Sequence, residues 1–165
     1  MNLFIAPTLI SVLIACDNER VGQSQDDGIK NQLGVELVYQ KPTKEELAGI
    51  WVINDINVYS DLNDVQDESQ NCWIELNADG KFKAKGLPFP SRSTKSWIII
   101  DSCSGKWRNE QRPKRNWDIV LQIEVHENRD KRVKLLLYSV DSTLVLVEHL
   151  PGGYQLEYIL FSKVN

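Results

Sequence analysis

This chain of 165 residues is poor in the residue types that usually carry metal or nucleophilic chemistry. It has two histidines, three cysteines and one methionine. Neither an H-x-x-x-H nor a C-x-x-C spacing occurs, so zinc binding has no local signature. His126 and His149 read as strand-end histidines. There is no G-x-S-x-G, and Ser102, Ser104 and Ser142 fall in turn contexts, which leaves nucleophilic catalysis without a named pair. Asp61, Asp64, Asp67 and Glu68 do not match the spacing of a calcium loop. No metal, no cofactor and no enzyme activity is expected. Basic excess is lacking too: the formal net charge is −4, which argues against nucleic acid or anionic lipid as the main partner.

Long apolar runs are also missing. The longest, Leu3 to Ala15, would cover about 20 Å as a helix, short of a ~30 Å hydrocarbon core. That length fits the apolar region of an export signal. It ends in Leu13-Ile14-Ala15-Cys16, which resembles the bacterial lipoprotein lipobox. Met1-Asn2 departs from the usual pattern by carrying no Lys or Arg. The resemblance implies lipidation of the Cys16 thiol, cleavage before it and acylation of the new amino terminus, with anchoring to a membrane of the bacterial envelope, facing the periplasm. Asp17 beside the lipid cysteine implies retention in the inner membrane.

Three segments follow from this reading. Residues 1–15 form a signal peptide. Residues 16–42 are the acylated cysteine and a polar tether, too poor in apolar groups to fold alone; within it Val35 to Tyr39 alternates loosely and either adds an edge strand or rests on the domain. Residues 43–165 form the domain. In an exported chain, Cys72 and Cys103 read as a pair. Each is placed at the start of a strand, so a cross-strand disulfide is expected, worth roughly 3–4 kcal/mol for a loop of about 30 residues. Two free thiols are the alternative if the leader reading fails.

The domain reads as all-β. Thr43 and Glu46 have capping-box spacing before a short helix. Gly49-Ile50-Trp51 opens a strand, Cys72 to Leu76 alternates as another, and Asn77-Ala78-Asp79-Gly80 is a hairpin turn. Lys81 to Lys85 and Trp97 to Ile100 continue the series, and Ser104-Gly105-Lys106-Trp107 opens a further strand. From Trp117 to Val125 the alternation is strict, with Asp118, Gln122 and Glu124 on the polar face. Strands at Val133–Leu137, Leu144–Val147 and Tyr154–Val164 bring the count to eight or nine, as in an antiparallel up-and-down barrel or a sandwich. No segment after Glu46 has helical periodicity.

Gly-Ile-Trp, then Ile-Glu-Leu-Asn-Ala-Asp-Gly-Lys-Phe-Lys-Ala, Ser-Gly-Lys-Trp, Trp-Asp-Ile-Val-Leu and the terminal Tyr-Ile-Leu-Phe-Ser-Lys resemble bacterial lipocalin-like lipoproteins over residues 46 to 163. The resemblance implies an eight-stranded barrel, of which some relatives hold a small apolar ligand, and it carries over no catalytic residue. Trp51, Trp73, Phe82, Trp107 and Trp117 are the candidate lumen residues, either lining a ligand cavity or filling a solid core. Arg108, Arg112, Lys114 and Arg115 form a basic cluster, either a hairpin tip that meets an acidic envelope partner or a solvated loop. Two functions stay open: a ligand-binding barrel, or an interaction or inhibitor-type lipoprotein acting on another envelope protein.

Overall fold

The computed structural model describes residues 28–57, 72–91, 96–112, 116–124, 131–149 and 157–164. The leader and Cys16 lie outside the described residues, as do Lys114, Arg115, His126 and the acidic segment 61–68.

The described residues form nine strands, with a short helical stretch α1 at residues 28–33 before β1 and the single turn α2 at Lys44–Leu47 before β2. The strands are β1 Glu36–Leu37, β2 Gly49–Asn57, β3 Trp73–Leu76, β4 Lys81–Ser91, β5 Ser96–Gln111, β6 Trp117–Ile123, β7 Lys131–Val140, β8 Thr143–His149 and β9 Tyr158–Lys163. All ladders are antiparallel, from β2–β3 through β8–β9, and β2 also pairs with β9. The eight strands β2 to β9 therefore close on themselves. The barrel expected from the strand pattern is what forms. Closure removes the sheet edges that would otherwise invite pairing with another chain.

The local reasons are mostly those read from the residues. Thr43 and Glu46 form the capping box, with Glu46 N–H donating to Thr43 Oγ1 at 3.2 Å and Thr43 N–H donating to Glu46 Oε2 at 2.7 Å. That bond to the Thr43 backbone N–H lowers the Glu46 pKa. Gly80 turns the β3–β4 hairpin at φ +86°, and its N–H donates to Asn77 O. Two expected strands, Trp97–Ile100 and the one from Ser104, are one: β5 runs sixteen residues, because Ser102 and Cys103 also pair with β4. β4 likewise continues past Gly86, through Pro88 and Pro90. This is tolerated because β3 pairs only with residues 82–85, which leaves the later part of β4 hydrogen-bonded to β5 alone.

Inward side chains form one core, from Trp51 and Phe82 at one end through Ile119, Leu121 and Leu135 to Ile159 and Phe161. A second, smaller core lies outside the barrel. There Leu136, Tyr138, Val145, Val147, Tyr158 and Leu160 on the outer faces of β7 to β9 are covered by Ile29 and Val35, with Leu33 and Leu37 against them. β1 pairs with Tyr138 and Ser139, just past the last β6–β7 pair, Trp117–Leu137. Within the expected tether, Val35 to Tyr39 takes the edge-strand reading, as β1 on β7, whereas residues 28–33, read as part of a polar leash, form α1 against the outer wall. Ile29 and Leu33 lie four apart on one helix face, and Ile29 is fully buried.

The expected disulfide is also corrected. Cys72 and Cys103 are free thiols. Cys72 precedes β3, whereas Cys103 lies within β5 opposite Ala84, so the whole of β4 separates them. Two strand spacings of about 4.8 Å exceed the ~7 Å limit for Cα atoms joined by a disulfide. Burial pushes the Cys72 thiol up to about 12 and Cys103 up to about 11. Both stay protonated and slow to oxidise at neutral pH. The melting temperature is therefore expected to be the same with and without a reductant, as scanning calorimetry would check; a reductant-dependent drop of several degrees would contradict the free-thiol arrangement.

Candidate functional site

The barrel has two unlike ends. At one, α2 and the turn residues 77–80 seal the interior. Trp51 is fully buried and its Nε1 donates to Leu47 O at 3.0 Å. Trp107 Nε1 donates to Asn77 O at 2.8 Å. Phe82 is buried between them in the same core. Lys41 and Lys44 lie over the rings of Trp117 and Trp107, 5.7 and 5.9 Å from their centroids. Four of the five candidate lumen residues, Trp51, Phe82, Trp107 and Trp117, thus face inward, and three of them build the plug. Trp73 is the exception. It shares its face with Lys85 and Val52, its cross-strand partners, while Ile74 takes the inward position. Trp73 is corrected to the outer wall.

The other end, where β2, β4, β6 and β8 finish, is built differently. Trp97 enters the core there, and its Nε1 donates to Glu157 Oε2 at 3.1 Å. Ile56, Phe89, Ile100 and Cys103 pack against the core yet stay only half-buried. Below them lies the one carboxylic acid of the interior among the described residues, Glu148. Leu146 and Glu148 are alternate residues of β8, and Leu146 is a core residue, so Glu148 points inward too. It is 2% exposed, and its Oε2 has no hydrogen-bond partner. Its cross-strand partner is Ile159, fully buried, and Leu135 lies one step past the Leu136–Val147 pair on its other side. Burial in this apolar ring raises the Glu148 pKa well above its usual value. Cys72 is close enough for the Glu148 charge to raise its thiol further.

Glu148 escaped the sequence reading because Leu144 to Val147 is an unbroken apolar run, in which alternation is invisible. The signal that could have found it is its even spacing from Leu144 and Leu146. Trp117 Nε1 is a second buried polar atom without a partner in the interior. Among the described residues no three His, Cys, Asp or Glu side chains converge into a metal site. His149 ends β8, half-buried opposite Tyr158.

The basic cluster divides. Arg112 pairs through Nε with Asp118 Oδ1 at 2.7 Å, and Lys134 reaches Asp118 Oδ2 at 3.5 Å. Asp118, expected on a solvated polar face, is fully buried beneath this pair, so Arg112 is structural rather than available to a partner. Arg108 is exposed and borders a cleft of about 360 Å³ with Lys44, Gly80, Lys81 and Lys106. Lys81, Lys106, Gln122 and Arg132 are successive cross-strand partners across β4 to β7, a row with three cations on the outer wall. Like charges set directly opposite, as Lys81 and Lys106 are, oppose pairing.

Compared with known proteins, the chain matches no family model, no curated protein and no solved structure.

Proposed function

We propose that this chain is a membrane-anchored lipoprotein of the bacterial envelope whose barrel holds a small apolar ligand. The observation that carries the ligand reading is the asymmetry of the interior. One end is sealed by tryptophans whose indole N–H groups are satisfied, while Ile56, Phe89, Ile100 and Cys103, packed against the core toward the other, remain half-exposed. Apolar side chains turned into a barrel and left partly open to solvent are what a lumen ligand covers. Native mass spectrometry of the protein purified from its own host tests this: a co-purifying apolar molecule is expected, and a bare protein mass under gentle desolvation would count against it.

The anchor rests on the Leu-Ile-Ala-Cys order. Two or more acyl chains on Cys16 make attachment stable, at about 0.8 kcal/mol per buried CH₂. Cys16→Ser is expected to abolish labelling by radioactive palmitate and to move the protein from the membrane fraction to the soluble one. Undiminished sedimentation of that variant with membranes would remove the anchor from the proposal.

A second reading, a surface that engages an acidic envelope protein, is favoured by the Lys81, Lys106 and Arg132 row with Arg108 beside it. Lys106→Glu would break such capture and leave lumen binding unchanged.

A further inference from the structure

Glu148 is buried in the barrel interior with its Oε2 unpartnered. Buried carboxyls are normally hydrogen-bonded or ion-paired, and leaving one without a partner costs the desolvation of that group. Leucine, with which β8 already fills its other inward positions at 144 and 146, would fit the ring formed by Leu135 and Ile159 without that cost. An unpartnered polar atom turned into the apolar interior has the form of a binding determinant, since binding sites combine apolar walls with a few placed polar groups.

We propose that Glu148 is the polar anchor of the lumen, and that the ligand is a single apolar chain or ring system whose head donates a hydrogen bond, a hydroxyl or an amine. This rests on the ligand-binding reading above and narrows it to a chemical class. Three observations support it. Glu148 lies one inward position beyond Leu146, toward the end where Ile56, Phe89, Ile100 and Cys103 are half-exposed, so a molecule entering there meets the carboxyl. Oε2 is free to accept, with no protein donor on it. The walls around it, Leu135, Leu146 and Ile159, are fully buried and apolar, which suits an alkyl or ring body. The raised pKa agrees with this: burial favours the neutral acid, which meets a hydroxyl as both donor and acceptor. An amine takes the acid's proton instead and forms an ammonium–carboxylate pair, in which no charge is left alone.

Octane, octan-1-ol and octylamine, equal in chain length, separate head from body. Titrated into the purified full chain and followed by quenching of the interior tryptophans, octan-1-ol or octylamine is expected to bind about tenfold more tightly than octane, the gain expected of one hydrogen bond to an otherwise unpaired buried group. Glu148→Leu should bring all three probes within about threefold of one another. Glu148→Gln should keep the preference for octan-1-ol and lose that for octylamine, because an amide accepts a hydrogen bond but carries no charge. Equal binding of octane and both head-bearing probes by the unaltered protein would overturn the anchor while the ligand-binding barrel stood. A head-group preference that persists in Glu148→Leu would do the same. Binding of none of the three would overturn both.

Discussion

Glu148→Leu is expected to make the protein more stable, and the gain is expected to grow with pH. The sign follows from where the proton sits. In the unfolded chain this carboxyl titrates near 4.5; in the barrel, burial raises its pKa well above that. Below about pH 4 both states hold the proton, and the folded protein buries a neutral acid. As pH rises past 4.5 the unfolded chain releases its proton while the folded chain keeps its own. The folded state then binds more protons, so its stability falls, at up to about 1.4 kcal/mol per pH unit. The fall ends where the folded carboxyl itself ionises. Cys72, which the Glu148 charge reaches, stays neutral throughout this window. Leucine has no proton to hold, so the variant lacks this slope. Urea unfolding at pH 4, 5.5 and 7 measures it: the variant should gain about 1–3 kcal/mol at pH 4 from removal of the unpaired neutral group, and more at pH 7, by the slope accumulated in between. Equal pH slopes for the two proteins would mean that Glu148 is not held protonated in the barrel.

Gly105→Ala should be among the most damaging single changes available in the domain. Gly105 lies in β5 opposite Phe82 of β4 and Ile123 of β6. A Cβ added there would overlap the backbone carbonyl oxygen of Gln122 and come within 3.0 Å of Phe82 Cε1. A carbonyl in a ladder cannot step aside as a flexible side chain can, and Phe82 is fully buried in the core that seals the barrel. One methyl group therefore forces either the β5–β6 ladder or the aromatic plug to move. Overpacked cores commonly lose 1–3 kcal/mol, and a backbone clash adds to that, so a loss of about 3 kcal/mol or more is expected. For a domain of this size the melting temperature should drop by about 10 °C. Gly28→Ala is the control, since nothing lies within 4 Å of its added Cβ. If the two alanine variants melted together, β5 and β6 could not approach as closely as described.

Legibility in the sequence tracks how local the cause is. The Gly80 turn, the Thr43–Glu46 box and the Trp117–Ile123 alternation are set by neighbours in the chain, and each forms as read. What depends on a distant partner was hidden. Asp118 sits at a polar position of the alternation, yet Arg112 covers it. Residues 28–34 are too polar on average to suggest burial, and only the apolar outer wall of β7 to β9 gives Ile29 a place to go. Cys72 falls just before β3 and Cys103 inside β5 rather than each at a strand start, and the strand between them appears only once β4 is known to pair with both β3 and β5. For the site, the tryptophan plug was visible as a set of aromatics. Glu148 was not, because a continuous apolar run erases the alternation that tells inside from outside.

The outer core has a consequence for how the barrel hangs from a membrane. With Cys16 acylated, as proposed, eleven residues, 17–27, separate it from the seat of α1 on β7 to β9, and at no more than 3.6 Å each they reach about 40 Å. The point of suspension is then the flank of the cylinder rather than its sealed base. A molecule suspended by its flank can present its mouth sideways, toward the bilayer surface, within one barrel length of the lipids. A tether running to residue 42 would instead have attached beside the tryptophan plug and held the mouth at the far end. With that anchor, Ile29 and Val35 would set where on the barrel the tether joins it.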